Sequence, residues 1–233
     1  MIETIHKNIQ PELIEKYIKE LIDMKPHEML TWGYEKFDNQ FAITTSFGIQ
    51  SSVLLNMVSK LCLQRKIKIF WIDTGYLPPE TYHYAEKLIE VLSLEVEVLQ
   101  SELSPARMEA LHGKLWETNI VSDLDKYHEL RKIQPLENAL EKYNIQCWAS
   151  GIRSSQTENR NKMQFLDLIR KRLSLRPLLN WTNKDIFYYM EENNLPPHPL
   201  FMKGYSTVGD WHSSCPDGIE TQGRDTRFRG IKQ

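Results

Sequence analysis

Phe41-Ala-Ile-Thr-Thr-Ser-Phe-Gly-Ile-Gln-Ser51 decides the fold. Its first half, Phe41–Ser46, is a short apolar and β-branched run of the kind that forms a buried strand. Its second half passes Gly48 and enters Gln50–Leu63, whose apolar residues recur at helical spacing. A buried strand that feeds a helix through a short glycine-bearing turn is half of a βαβ unit. The alternation then repeats. Lys66–Ile72 reads as a strand, Pro78–Leu92 as a helix opened by prolines near its first turn, and Leu94–Leu99 as a strand. Ser104 opens a short helix, Pro135–Tyr143 gives another, and Ile145–Ala149 is a short strand.

Upstream, Leu13, Ile14, Tyr17, Ile18, Leu21 and Ile22 space a helix over Pro11–Met24, and a second helix follows Pro26, so residues 1–38 form a helical N-terminal part. Strands alternating with helices predict an α/β fold, a doubly wound and mostly parallel sheet. Past Lys162 the pattern changes. Phe165–Leu175 reads as a strand pair, and Thr182 caps a helix with Asp185 at capping-box spacing. Residues 195–233, with prolines, glycines and charges, read as an irregular lid or docking segment of a single domain covering 1–233.

The 233 residues are 41% hydrophobic and 26% charged, with 10 Gly and 11 Pro, which excludes a disordered, collagen-like or repeat protein. A chain of this length buries roughly 70–75% of its unfolded surface and needs no disulfide or metal staple. Three cysteines, Cys62, Cys147 and Cys215, are too few and too far apart for a disulfide framework or a four-cysteine metal site. No stretch reaches the ~18–20 apolar residues of a membrane span. The start, Met1–Lys7, has no signal-peptide pattern, so the expected compartment is a reducing cytoplasm.

A net charge of −2 hides an asymmetry. Residues 1–149 hold 16 Lys/Arg against 22 Asp/Glu, whereas residues 150–233 hold 13 against 9, with eight of the eleven arginines. Arg offers a rigid fork of donors that matches phosphate or sulfate oxygens. With no basic run longer than Arg170-Lys171-Arg172, a small anionic ligand fits better than a nucleic-acid groove.

In doubly wound sheets ligands bind at the carboxyl ends of the strands, here Thr44–Ser51, Asp73–Tyr76 and Gly151–Arg160. Ser46-Phe47-Gly48-Ile49-Gln50-Ser51 places backbone N–H groups, two hydroxyls and a helix N-terminus together, a setting for an anion and equally for a plain capped turn. It lacks the Gly-Lys-Ser/Thr ending of a Walker loop. It resembles the Ser-Gly-Gly-x-Asp-Ser loop of the adenine-nucleotide alpha-hydrolase-like superfamily, with Phe47 in place of the first Gly. Gln50 replaces the Asp of the ATP-cleaving members, which disfavours a nucleotidyl-transferring enzyme that splits ATP. Asp73-Thr74-Gly75 is not an aspartic-protease triplet, because it occurs once and in an α/β setting.

Thr45–Ser51 together with Asp73-Thr-Gly-Tyr-Leu-Pro-Pro-Glu-Thr-Tyr82 resembles the thioredoxin-dependent phosphoadenylyl-sulfate (PAPS) reductases of sulfate assimilation. The resemblance continues in order through Gly113–Glu117, Arg131–Pro135, Gly151–Gln156, Pro177–Trp181, His198–Leu200, Gly204–Ser213 and Asp225–Gly230. It implies that Ser46, Phe47, Gly48, Gln50 and Ser51 hold the phosphosulfate or adjacent phosphate. It places Asp73, Thr74 and Gly75 near the adenosine or its 3′-phosphate. It adds Lys132, Gly151, Arg153, Arg160, His212 and Arg227 around the anionic groups. Ser154 stands where the family often has a second consecutive arginine.

The related adenylyl-sulfate reductases carry an iron–sulfur cluster on two cysteine pairs; the matching positions here are Tyr127-His128 and Asp210 with Ser213. The resemblance therefore implies PAPS as substrate, adenosine 3′,5′-bisphosphate as product, no iron–sulfur cluster and no metal. It also implies thioredoxin or glutaredoxin as electron donor, a homodimer, and neither nucleic-acid nor membrane partners. Its chemistry is attack by a cysteine thiolate on the sulfonyl sulfur, followed by thiol-driven release of sulfite.

That nucleophile belongs to a C-terminal Glu-Cys-Gly-x-His motif a few residues after the block matched by Arg227–Gln233, so no catalytic residue is assigned and the expected Cys lies beyond Gln233, in a chain truncated before it. Cys62 and Cys147 read as core, and Cys215, near His212 in sequence, as an exposed loop thiol. His83, His112 and His198 lack metal-ligand spacing, and Phe187–Met190 reads as core. The alternatives left open are a catalytically incomplete sulfonucleotide-binding protein and an adenylyl-sulfate reductase-like specificity.

Overall fold

The computed structural model describes residues 10–62 and 66–218. Two helices, α1 (Pro11–Leu21) and α2 (Pro26–Phe37), lead into β1 (Phe41–Thr45) and α3 (Ser51–Cys62). Next come β2 (Lys68–Ile72), α4 (Pro79–Leu92), β3 (Val96–Leu99) and α5 (Pro105–His112). After α6 (Val121–His128), a π-helical turn at Glu129–Ile133 passes into α7 (Gln134–Lys142). Then β4 (Cys147–Ser150), α8 (Glu158–Asn161), β5 (Leu166–Ile169), β6 (Arg172–Leu175) and α9 (Asn183–Glu192) complete the regular elements.

The strands form a six-stranded sheet in the order β3-β2-β1-β4-β6-β5. Its pairings are parallel except for the β5–β6 hairpin. The doubly wound, mostly parallel α/β sheet expected from the sequence is the observed one. The α6 segment and the π turn were not expected. Arg131, buried in that turn, interrupts the apolar periodicity by which a buried helix is read.

Both sheet faces are covered, and the side chains alternate between them as strand geometry requires. Phe41, Ile43, Ile69, Trp71, Cys147 and Ala149 join the larger core with α1 to α4. Ala42, Phe70 and Trp148 join a second cluster with Ala139 and Leu140 of α7. Fully burying a side chain such as Phe41 or Ile43 contributes roughly 1.5–3 kcal/mol. The expected cap of α9 is present: Thr182 Oγ1 accepts from the Asp185 N–H (3.2 Å), while the Thr182 N–H donates to Asp185 Oδ2 (2.7 Å). Phe187 and Tyr188 are exposed rather than core; only Tyr189 and Met190 of that run pack inward.

From α9 the chain returns to the carboxyl edge of the sheet through His198, which is wholly buried. The Leu200 N–H donates to His198 Nδ1 (3.1 Å), so the proton sits on Nε2, which faces Thr81 Oγ1 of α4 at 3.1 Å. Burial holds this imidazole down at about 4, against the mild upward pull of Glu80. The unfolded chain therefore binds the extra proton between the two pKa values. Stability is complete above the ordinary histidine value and falls as pH drops from about 6.5 towards 4. Between pH 7 and 4.5 the penalty from this group is roughly 2–3 kcal/mol. Urea melts of the wild type and His198→Asn at both pH values measure it. The variant is expected to show the shallower pH dependence, and equal slopes would refute the assignment.

Candidate functional site

The strand order reverses direction between β1 and β4, and a cleft of about 360 Å³ opens at the carboxyl ends of those strands. Its walls are the end of β1, the loop leading to α3, the end of β4 with the segment after it, and Ser206, Thr207 and Val208 from the C-terminal segment. Seven of the residues singled out in the sequence line it: Ser46, Gly48, Gln50, Ser51, Gly151, Arg153 and Arg160.

The loop after β1 is tightly bound to itself. The Phe47 N–H donates to Thr45 Oγ1 (3.1 Å), and both the N–H and the hydroxyl of Ser51 donate to the Gly48 carbonyl (3.0 and 2.8 Å). Phe47 adopts φ +46°, a region that bulky side chains rarely occupy. Its ring points away from the cleft into the core, edge-on to Trp71 at 4.8 Å between centroids. Phe47 thus gives the loop its backbone and not a ligand-facing side chain, because the ring is buried on the opposite side.

Arg153 follows β4 and is only 3% exposed. Its guanidinium donates to Gln50 Oε1, to Asn183 Oδ1 (2.9 Å) and to the Trp181 carbonyl (3.3 Å), all uncharged acceptors. Burial lowers its pKa, and the nearby Asp185 charge only partly opposes that. Arg160 donates to Gln156 Oε1, the same oxygen that accepts from the Arg153 N–H (3.1 Å). Among the described residues the cleft lining contains both arginines and no carboxylate. Ser150 Oγ, on the cleft wall, is buried without a hydrogen-bond partner among the described residues. A buried cation on neutral acceptors and an unused hydroxyl, with no acidic side chain among the described lining residues, make a setting that would favour an anion.

Asp73, Thr74, Gly75, Lys132 and His212 lie together in a neighbouring cluster outside the cleft lining. Asp73 Oδ1 accepts from the Gly75 N–H (2.8 Å) and the Tyr82 hydroxyl (2.7 Å), and Oδ2 accepts from Gln100 Nε2 (2.7 Å). Gly75 has φ +74°, and a Cβ there would stand 2.7 Å from Pro105 Cγ. Arg131 donates to the Thr74 and Leu103 carbonyls. Lys132 Nζ meets Asp210 Oδ2 at 2.7 Å. His212 stacks on Trp116 (4.1 Å, 10° between planes) and its Nε2 faces the Tyr127 hydroxyl at 3.0 Å. Arg227 lies outside the described residues.

Cleft residues missed in the sequence are Ser150, Gln156, Ser206 and Thr207, although the last three stand inside motif blocks quoted above. Asn183, which holds Arg153, carries no local signal. Cys147 is fully buried, with its thiol pKa pushed up by burial; Cys62 is half-buried, with its thiol also raised by burial; Cys215 is exposed. None of the three lines the cleft. Among the described residues no His, Cys, Asp and Glu side chains group as metal ligands, and no helix is long and apolar enough to cross a membrane.

Residues 40–216 match the phosphoadenosine phosphosulfate reductase domain. A phosphoadenosine 5′-phosphosulfate reductase from Synechococcus sp. is 45% identical over 215 residues, covering 92% of both chains. One from Synechocystis sp. is 42% identical, covering 92% of this chain and 86% of the relative. The crystal structure of phosphoadenylyl-sulfate reductase from Candida auris, a phosphate complex, superposes with a TM-score of 0.76 at 28% identity, covering 90% of this chain and 99% of that one. The FMN adenylyltransferase of Candida glabrata shares the fold (TM-score 0.61, 15% identity, 93% and 74% covered).

Replacing Arg153 by Gln keeps side-chain hydrogen bonding and removes the charge. Because a hydrogen bond to a charged group contributes roughly 1.5–3 kcal/mol, affinity for inorganic pyrophosphate should fall by about 10- to 100-fold, and wild-type affinity should weaken with added salt. Calorimetric titration reads both; unchanged affinity in Arg153→Gln would remove the cleft as an anion site.

Proposed function

The chain belongs to the phosphoadenosine phosphosulfate reductase family, and from that premise we propose that its cleft binds 3′-phosphoadenylyl sulfate for reduction to sulfite and adenosine 3′,5′-bisphosphate in sulfate assimilation. The observation that carries the reading is Arg153, a buried cation held by Gln50, Asn183 and a carbonyl on the wall of a cleft with no carboxylate among its described lining residues. A phosphosulfate anion supplies the counter-charge that those neutral acceptors do not. Arg160, Ser46, Ser51 and the unpartnered Ser150 hydroxyl stand around the same space. Gln50 accepts from Arg153, so it positions the cation where an ATP-cleaving relative would present a carboxylate.

The reaction proceeds in two transfers. A cysteine thiolate attacks the sulfonyl sulfur; an S–S bond forms, the S–O bond to phosphate breaks, and the electron pair leaves with adenosine 3′,5′-bisphosphate. A thiol of reduced thioredoxin or glutaredoxin then attacks the cysteine sulfur, sulfite departs with the bonding pair, and the partner's second thiol attacks its own sulfur in the resulting mixed disulfide, closing the partner's disulfide and releasing the cysteine thiolate. Within this reading Arg153 and Arg160 balance the anion and hold the sulfur in line. No thiolate occupies Tyr127, His128, Asp210 or Ser213, so the proposal includes no iron–sulfur cluster on them. The same reading takes the protein to be a cytoplasmic homodimer built of one domain, with residues 195–233 as lid, and assigns Arg227 to the substrate.

Titration with adenosine 3′,5′-bisphosphate, adenosine 5′-monophosphate, PAPS and adenylyl sulfate tests it. The 3′-phosphorylated members are expected to bind at least about 10-fold more tightly, the equivalent of one charge-assisted contact. Ser150→Ala is expected to weaken them by a few-fold. Equal affinity with and without the 3′-phosphate would refute PAPS as the preferred substrate, and pyrophosphate release from ATP would refute the reductase reading.

A further inference from the structure

Asp210 is a carboxylate with no exposed surface, and it ties three separate parts of the chain together. Its Oδ2 receives Lys132 Nζ at 2.7 Å, from the π-helical turn between α6 and α7. Its Oδ1 accepts the Thr74 hydroxyl, from the loop after β2. Its own carbonyl accepts the Ser213 N–H (3.0 Å) and the Ser213 and Ser214 hydroxyls (3.1 and 3.0 Å). The Gly209 N–H donates to Ser214 Oγ (2.9 Å), and the Trp211 N–H donates to the Tyr76 carbonyl (2.7 Å). Residues 209–214 are thus tied together around one buried residue, Asp210, through both its side chain and its backbone carbonyl.

Just before this knot, Ser206, Thr207 and Val208 form one wall of the cleft. Val208 packs on Ile49 and Leu200, and its carbonyl lies 3.7 Å from where a Cβ of Gly48 would stand. That wall has an apolar anchor at Val208 and an ionic one two residues on. Lys132 does not line the cleft, and its ammonium is directed to Asp210. Within the π turn, Arg131 holds the Thr74 carbonyl while its neighbour Lys132 reaches Asp210.

We propose that Asp210 and Lys132 are positioning residues: their ion pair, with the Thr74 hydroxyl, latches residues 205–214 to the sheet edge and so sets the cleft wall made by Ser206, Thr207 and Val208. Lys132 acts on the ligand through this latch and not by touching it. The proposal rests on the sulfonucleotide reading of the cleft, and goes beyond it by assigning what orders the wall.

Two measurements test it on the full chain. Amide hydrogen exchange needs no ligand: in Asp210→Asn and Lys132→Met, residues 205–214 should exchange at least about 10-fold faster while β1 and β4 keep their protection. Unchanged exchange across 205–214 in folded Lys132→Met would overturn the latch. Should Asp210→Asn fail to fold, Thr74→Val, which removes only the hydroxyl, carries the same expectation and the same refutation.

The second measurement is a binding cycle with adenosine 3′,5′-bisphosphate at a temperature where melts show each variant folded. Each single change should weaken binding by about 10-fold, and the double variant by about the same factor, because both remove one latch. Lys132→Arg, which keeps the cation, should recover affinity to within about threefold of wild type. Multiplied losses in the double variant would show Lys132 contacting the ligand directly and defeat the proposal. A wild type that does not bind this nucleotide defeats the sulfonucleotide reading instead, and the exchange result then still decides the latch.

Discussion

Everything at the site depends on β1 being paired in parallel with β2 on one side and β4 on the other. Parallel neighbours send their chains out at the same edge of the sheet, and each must return by a crossover instead of a tight hairpin. At β1 the chain leaves into α3 and reaches β2; at β4 it leaves towards β6 on the far side. No hairpin closes the gap between those two exits. The cleft is a consequence of strand order before any ligand-facing side chain is considered. The same pairing demands apolar residues on both strand faces, which Phe41–Ile43 and Cys147–Ala149 supply.

The loop that leaves β1 uses core packing to hold an unfavourable backbone. Phe47 at φ +46° carries a conformational cost on the order of 1–3 kcal/mol, and complete burial of an aromatic ring offsets about that much. A glycine there would relieve the backbone but leave the loop untied from Trp71. The departure from the Gly-Gly pattern of related loops is therefore a change in how the turn is held: by a side chain in the core instead of by conformational freedom. A loop fixed in this way presents Ser46, Gly48 and Ser51 with little left to order when an anion arrives.

The strands and most helices were legible because their signals are local. A β-branched run, a proline at a helix start and the Thr182–Asp185 cap each work within a few residues. The cleft was legible where chemistry and motif coincide, at Ser46, Ser51, Arg153 and Arg160. What escaped depends on distance along the chain. Asn183 meets Arg153 from 30 residues away, and Lys132 meets Asp210 from 78. Lys132 illustrates the difference well: the family resemblance implied a place beside the ligand's anionic groups, and no local signal announced that its ammonium meets the buried Asp210 carboxylate. Phe187 and Tyr188 show the converse, apolar residues in a helical run that face outward because α9 packs on Tyr189 and Met190.

The arginine excess after residue 150 has to be divided before it can be used as an argument for an anionic ligand. Arg170 and Arg172 both pair with Glu137 of α7, at 3.4 and 2.7 Å. Arg176, 1% exposed, meets Asp167 at 2.5 Å, so its charge is balanced within the hairpin of β5 and β6. Arg131, from the acidic part of the chain, is just as buried but lies outside the cleft, with carbonyls as acceptors and the Tyr76 ring 5.5 Å away. Arg153 alone among these five combines deep burial, uncharged acceptors and a place on the cleft wall. Burying a cation beside neutral acceptors is unfavourable, and on the proposed reading a bound anion recovers the deficit. Of the described arginines after residue 150, Arg153 and Arg160 line the cleft, so the compositional case for an anionic ligand narrows to those two. On the proposed reading, an anionic ligand gains most at Arg153, a buried charge whose hydrogen-bond acceptors are uncharged.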